Sequence, residues 1–557
     1  MGVMGTMRVM GKAKTNKKVT AQETSPASVW MVSREYGELA GAGGVKDVTK
    51  QLARALADTG REVSVVLPLY GFIDPQAHDL EPLELAFEID MNYLQEERRE
   101  TVKVWSMGRQ PAVYLLDSPR FREKDGIYTY TEAEEATNPE CRQGEGHIDY
   151  FAMNVLLQKA TLALIVRLGQ KPEIIHCHDG HTALLPVLFR EIEGWRDYFT
   201  PTAAVVTIHN AGVGYHQEIG DLAFAKAITG LPAQVLNRHL LDGKFDPLLA
   251  AASYAEVNTV SENYARELRE TIDDEQTGWL GHRLMARGLR LAGITNGIDP
   301  SEYSPAQPGY HKLLGLPCGY TPGEKDAPCP SGRPGPAGKS KCHADLLRAL
   351  ASKTLNITQS GSLTYRPLDP LFTFIGRLSA QKGVDILVAA LRQMLAEDDD
   401  FQALILGTGP EEIEAELAAL ADHPDYTGRI CFLRCYNPQL ALRVYAAGDF
   451  FVIPSVYEPC GLTDFIAQLF GNLPIVHRVG GLVKVLDQQT GFAYEKHSPT
   501  ALLVTMRRAK EIFHNAPETI LAMQKEAITL IEQKYTWETV VARYLELYRE
   551  SLAKRKL

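Results

Sequence analysis

A chain of 557 residues is longer than one hydrophobic core ordinarily supports, so its length predicts two or more domains. With 45% hydrophobic and 23% charged residues and no uninterrupted apolar stretch of spanning length, the composition is that of a globular enzyme in water and excludes a membrane span. The 58 basic against 69 acidic side chains leave a formal charge of −11, which opposes attraction to nucleic acid or anionic lipid.

Residues 1–26 carry Arg8, Lys12, Lys14, Lys17 and Lys18, no acid before Glu23 and no hydrophobic signal core, and are expected to form a disordered tail. The eight cysteines include no Cys-x-x-Cys pair, so neither a disulfide framework nor a zinc site is predicted, and a reducing cytoplasm fits. From Val29 onward apolar runs alternate with amphipathic stretches, the pattern of βαβ units around a parallel sheet. The first set is Val29 to Val32, a glycine turn at Gly41 to Gly44, a helix from Val45 to Ala57, and strands at Val63 to Leu67, Ala112 to Leu116, Ile174 to His176 and Ala203 to Ile208. These predict a Rossmann-like domain over 27–303. Residues 304–366 turn rich in Gly, Pro, Ser and Lys and read as a linker with a surface insertion, whose Cys318, Cys329 and Cys342 are taken as loop thiols. A second set, Leu371 to Ile375, Ala403 to Leu406, Ile430 to Leu433 and Phe450 to Ile453, predicts another Rossmann-like domain over 367–535. A final helix over 536–557 has Val540, Val541, Tyr544, Leu545 and Tyr548 spaced to pack on another surface, which suits a return to the first domain.

Several residues at strand ends carry chemical possibilities. Arg377 and Lys382 follow the strand ending Phe374-Ile375-Gly376, at the carboxyl edge of a parallel sheet where doubly wound folds bind ligands. Gly461, Leu462 and Thr463 follow a strand and open a helix whose free amides suit phosphate, and Glu458 beside them suits hydrogen bonds from sugar hydroxyls. Asp398-Asp399-Asp400 lies between a helix and a strand and reads as a solvated turn rather than a magnesium site. In the first half, His176, His178 and His181 span a strand end and a turn rather than one helix face, so sugar contact is preferred to metal. His209 and Asn210 end the strand Val205 to Ile208 in the same way.

Taken in order, Gly43-Gly44-Val45, His178-Asp179-Gly180-His181, Thr207-Ile208-His209-Asn210, Asn296-Gly297-Ile298-Asp299, Gly376-Arg377-Leu378 with Gln381-Lys382-Gly383, Glu458-Pro459-Cys460-Gly461-Leu462-Thr463 and Gly480-Gly481-Leu482 resemble the bacterial glycogen synthase and plant starch synthase family. The resemblance runs from Val29 to Tyr548 and implies a GT-B fold, two Rossmann-like doubly wound domains facing an interdomain cleft. It implies retaining transfer of glucose from ADP-glucose or UDP-glucose to an α-1,4-glucan, with no metal or other cofactor. In the roles it implies, Arg377 and Lys382 bind the diphosphate, Glu458 the glucose hydroxyls, and Gly461, Leu462 and Thr463 the distal phosphate. His181 is assigned to the glucose 6-hydroxyl region, Gly43, Gly44, Asn296 and Gly376 to the donor side, and Asp179, His209 and Asn210 to sugar or acceptor. A small sugar acceptor and a non-catalytic sugar-binding protein are the alternatives.

Three positions depart from the family pattern. Gly41 stands where the family has a lysine ahead of the double glycine, with Lys46 as the nearest substitute. Gly180 replaces a tryptophan, which predicts a packing gap, and Lys484 replaces an acid after Gly-Gly-Leu, which alters the charge balance there.

Overall fold

The computed structural model of the chain describes residues 26–307, 309–324, 333 and 335–555. All but the last residue of the expected tail, and Cys329 with most of the Pro-rich run around it, lie outside the described residues.

Two sheets carry the molecule. The first has nine strands: β1 (Ser28–Val32), β2 (Glu62–Pro68), β3 (Glu81–Asn92), β4 (Glu97–Met107), β5 (Ala112–Asp117), β6 (Ile174–His178), β7 (Ala203–Ile208), β8 (Glu256–Thr259) and β9 (Leu291–Gly293). Their order is β9-β8-β7-β6-β1-β2-β5-β4-β3, parallel except where the β3–β4 hairpin joins β5 antiparallel. The hairpin is absent from the sequence reading because β3 alternates exposed and buried residues with many charges, and so lacks the apolar run of a central strand. β1, β6 and β7 are buried on both faces, which the apolar runs of β1 and β7 suit, while β6 carries His176 and His178 into the buried layer.

The second sheet comprises β10 (Thr358–Leu363), β11 (Leu371–Ile375), β12 (Gln402–Leu406), β13 (Arg429–Arg434), β14 (Phe450–Ile453), β15 (Leu473–His477) and β16 (Phe492–Tyr494). The order β10-β13-β12-β11-β14-β15-β16 is parallel but for the antiparallel edge strand β10. Helices cover both faces of each sheet, giving two doubly wound layers with separate cores.

The segment expected to be a linker with a surface insertion is, in much of its described part, packed structure. Ala337–Ala351 is a helix that buries Lys339, Cys342, His343, Leu346 and Leu350. Lys339 Nζ donates to the carbonyls of Ala446 and Phe470, and buried Arg333 pairs with Asp449. Cys342 is therefore a helical, buried thiol and not a loop thiol. The proline-rich run masks the helix in sequence, because Pro336 is its N-cap and not a breaker.

The helix Trp537–Arg555 leaves the second half and lies on the first sheet. Val540, Val541, Tyr544 and Tyr548 join the core formed by β1 and β2, and Trp537 Nε1 donates to Gln51 Oε1 at 2.6 Å.

Candidate active site

Strands β11 and β14 are neighbours at the centre of the second sheet, and both present loops at their carboxyl ends. The β11 loop runs Gly376, Arg377, Leu378 to a tight turn at Ala380–Lys382. Gly383, at φ +67°, lets it lie against the end of β14, since a Cβ there would stand 1.9 Å from the Pro454 carbonyl oxygen. This approach brings Lys382 Nζ to 2.6 Å from Glu458 Oε2, which also accepts from Ser455 Oγ at 3.1 Å. Arg377 is exposed and pairs with no carboxylate among the described residues.

After Glu458 the chain turns at Gly461, φ +71°, into the helix Thr463–Leu469. The amides of Gly461, Leu462 and Thr463 have no acceptor among the described residues. Beneath this turn Lys484, almost fully buried, donates to the carbonyls of Gly461 at 2.7 Å and Gly481 at 3.2 Å and to that of Cys460. It also stands 3.1 Å from the buried Asp464 carboxylate. Burial pushes Asp464 up to about 6 against the opposing pull of Lys484. The charge imbalance expected from a lysine at position 484 is thus answered within the core by an aspartate at 464.

In the first half, β6 and β7 end side by side and place His178, Asp179, His209 and Asn210 together. Asp179 Oδ1 accepts the amides of His209 at 2.6 Å and Asn210 at 3.3 Å, and His178 Nδ1 meets His209 Nε2 at 2.9 Å. Burial pushes the Asp179 carboxyl up to about 7, although the two amides oppose it, and takes the His209 imidazole down to about 3. The His181 ring lies 4.8 Å from that of Tyr128. The predicted gap at Gly180 does not exist, because a Cβ there would meet the His216 carbonyl oxygen at 2.3 Å: the backbone of Tyr215 and His216 fills the space.

The glycine turn carries a residue that sequence reading missed. Glu35, buried just beyond β1, accepts the amides of Ala42 at 2.7 Å and Gly43 at 3.1 Å, while its other oxygen accepts the Tyr128 hydroxyl at 2.7 Å. Glu35 thereby ties the turn to the ring that packs on His181. Its signal was an acid three residues past a mostly buried strand. Lys46 is partly exposed, with its stem lying over Gly41, where a Cβ would be 2.1 Å from Lys46 Cδ. Although burial works against it, Asp47, at 2.7 Å from Nζ, holds the Lys46 ammonium above the usual lysine range.

The two halves face one another through these loops. Gly44 abuts Leu462, with 3.0 Å from an added Cβ to Leu462 Cδ1, and Ser261 Oγ donates to the Pro459 carbonyl at 2.7 Å. The Gly480 amide donates to both oxygens of Glu267, at 2.9 and 3.1 Å, and Asn263 Nδ2 donates to the Gly480 carbonyl at 3.0 Å. The Asn296 amide reaches the Cys460 sulfur, and Asn210 bonds the Tyr457 hydroxyl. A small cavity at this junction is lined by Gly212, Tyr264, Glu267, Gln276, Tyr457 and Val479. Among the described residues no three His, Cys, Asp or Glu side chains converge in a metal-holding group. Asp398 and Asp400 lie away from the site, ion-paired with Arg507 and Lys510.

The chain is similar to known proteins over nearly its whole length. The family described as Starch synthase catalytic domain matches residues 28–282, and Glycosyl transferases group 1 matches residues 369–510. A glycogen synthase of Anaeromyxobacter sp. (strain Fw109-5) is 33% identical over 539 residues, covering 94% of this chain and 99% of the relative. One from Vibrio cholerae is 30% identical over 535 residues, covering 94% and 98%. The catalytic domain of starch synthase IV from Arabidopsis thaliana, bound to ADP and acarbose, superposes with a TM-score of 0.76 at 24% identity, covering 95% of this chain and all (100%) of that one. A sucrose-phosphate synthase of Thermosynechococcus elongatus has a TM-score of 0.54 at 18% identity, covering 95% and 99%. These neighbours are GT-B glycosyltransferases, and two facing doubly wound sheets with their loops in contact are that fold. Since curated relatives align from end to end and both halves of the site lie on facing loops, the chain belongs to the glycogen synthase and starch synthase family of glucosyltransferases.

Proposed function

We propose that the protein transfers glucose from ADP-glucose or UDP-glucose to the non-reducing end of an α-1,4-glucan, with retention and without a metal, in the cytoplasm. The observation that carries this reading is the Lys382–Glu458 pair, at 2.6 Å, beside the acceptor-free amides of Gly461, Leu462 and Thr463. A departing nucleoside diphosphate gains negative charge at bond cleavage and needs donors already in place. Arg377, Lys382 and those amides supply them, with Gly376 allowing the turn that presents Arg377. Glu458 uses one oxygen for Lys382 and Ser455 and offers the other to glucose hydroxyls. Gly43, Gly44 and Asn296 line the donor from the opposite domain, and His181, Asp179, His209 and Asn210 face the sugar and acceptor.

A donor that is α-linked and a product that is α-linked exclude a single in-line inversion. The ion pair of Glu458 with Lys382 favours hydrogen bonding over nucleophilic attack, so substitution proceeds on one face through an oxocarbenium-like state. The leaving phosphate oxygen takes the proton of the acceptor hydroxyl while Arg377 and Lys382 stabilise its charge. Contact between the domains excludes water and suppresses hydrolysis.

The test incubates purified protein with ADP-glucose or UDP-glucose and with glycogen, maltose or no acceptor, following nucleotide release, chain length and product anomer. Elongation of glycogen that persists under chelation, and that falls by about 10²–10³ in kcat for Arg377→Ala or Lys382→Ala, is expected. Transfer to small sugars alone would assign a small-acceptor enzyme, and binding without turnover a carbohydrate-binding protein. A trapped covalent glucosyl-enzyme would overturn the mechanism.

A further inference from the structure

Trp279 opens the helix Leu280–Ala286 with its residue 40% exposed and its backbone at φ +66°. A bulky side chain in the left-handed region is strained, and an indole in water forgoes burial, so folding alone favours neither. The surrounding turn nevertheless enforces both. Asp274, wholly buried and without a lysine or arginine partner among the described residues, organises it. Its Oδ1 accepts from Thr277 Oγ1 at 2.5 Å and the Gly281 amide at 3.1 Å. Its Oδ2 accepts from the His282 amide at 2.8 Å and bonds His282 Nδ1 at 2.7 Å. The Trp279 amide donates to the Asp274 carbonyl at 2.9 Å. The His282 ring stands edge-on to Trp279 at 5.2 Å, is itself 41% exposed, and its Nε2 has no partner among the described residues.

The neighbourhood is a shelf at the lip of the interdomain cleft. Val213, 66% exposed, and the carboxylate of Asp242 both flank Gly278. Val213 donates its amide to the Gln276 carbonyl at 3.1 Å, and Gly212, Gln276 and Thr277 line the cavity between the domains.

We propose that Trp279, with His282 against its ring and Asp242 beside the adjoining Gly278, is a binding platform for an α-glucan chain, holding sugar units beyond those in the reacting cleft. An exposed aromatic face takes the C–H face of a pyranose, and an imidazole nitrogen and a carboxylate beside it take the hydroxyls. The exposed acids Asp242, Asp273 and Glu275 outnumber the exposed Arg283 one helical turn from Trp279, which disfavours phosphate and nucleic acid against a neutral saccharide. Its identity as an α-glucan rests on the transfer reaction proposed above.

Calorimetric titration with maltoheptaose and with maltose tests the platform on the full chain. Trp279→Gly removes the ring while a glycine accepts φ +66° freely, so the turn is retained, and a cooperative melt confirms that the variant folds. It is expected to bind maltoheptaose about tenfold more weakly, whereas Trp279→Phe stays within about twofold. Maltose kinetics and the KM for the nucleotide sugar are expected to be unchanged in both. Unaltered maltoheptaose affinity in Trp279→Gly, equal loss for maltose, or a parent protein that binds no maltoheptaose would overturn the proposal. A parent that binds maltoheptaose but transfers no glucose would sink the transfer reading and leave the platform standing.

Discussion

Lys484 and Asp464 illustrate how one altered residue is answered by another. Both side chains are buried, at 5% and 0% exposure, and the ammonium gathers three carbonyls of the turns at 460–461 and 481 as well as the carboxylate. In a trans peptide the N–H opposes the C=O, so drawing the Cys460 and Gly461 carbonyls toward Lys484 turns the Gly461 and Leu462 amides the other way. Lys484→Met leaves the buried Asp464 carboxyl without its partner and is expected to lower stability by about 3–5 kcal/mol, while Lys484→Met with Asp464→Asn recovers most of it. Denaturant unfolding of the single and double variants measures this, and equal losses in both would refute the coupling. Gly41 and Lys46 form a second such pair, because the absence of a side chain at 41 is what admits the lysine stem. Lys46→Ala is expected to raise the KM for the nucleotide sugar about fivefold with kcat little changed, the effect of one half-exposed cation beside an anionic ligand. Initial-rate kinetics decide it.

At the scale of elements, the ends of β6 and β7 concentrate neutral imidazoles. Burial takes His176 and His209 down to about 3 and holds His178 and His181 well below the usual 6.5. A histidine depressed in the folded state adds stability that is complete above 6.5 and is lost as the pH falls through that value toward 3. Asp179, raised from 3.8 to about 7, acts in the opposite sense: its contribution is complete below 3.8 and is lost as the pH rises toward 7. Four imidazoles outweigh one carboxyl, so the unfolding temperature is expected to drop between pH 6.5 and 4. Calorimetry across that range checks it, and His176→Gln, which removes an imidazole bonded to Tyr548 and Thr207, is expected to show a shallower fall. A flat profile in the parent would exclude the histidine cluster as the cause.

Across the whole molecule the loops of two sheets are held in register by a few polar clamps. Glu267 accepts the Gly480 amide with both oxygens, and a Cβ on Gly480 would lie 1.9 Å from the Glu458 carbonyl oxygen, so the clamp acts close to the proposed reacting centre. Glu267→Ala leaves that amide without its acceptor and is expected to favour the open arrangement. The expected outcome is a kcat about tenfold lower, a nucleotide-sugar dissociation constant within about twofold, and a larger radius of gyration by small-angle scattering. Unchanged scattering with lowered kcat would assign Glu267 a local role instead.

The sequence alone determined two doubly wound sheets, because central parallel strands are buried on both faces and must be written as predominantly apolar runs, as β1, β7, β11 and β14 are. It also named the residues at their carboxyl ends, since charged and glycine-rich turns stand out directly after such runs. Only tertiary structure decided the remainder. The β3–β4 hairpin and the helix Ala337–Ala351 were hidden by charge and by neighbouring prolines, and Glu35, Tyr128 and Glu267 act on residues distant in the chain. The filling of Gly180 by another backbone, the crossing of Gly41 by Lys46 and the pairing of Lys484 with Asp464 are contacts between side chains and turns that no periodicity encodes. A local pattern reports which face of an element is buried; what it is buried against is fixed by how the elements pack.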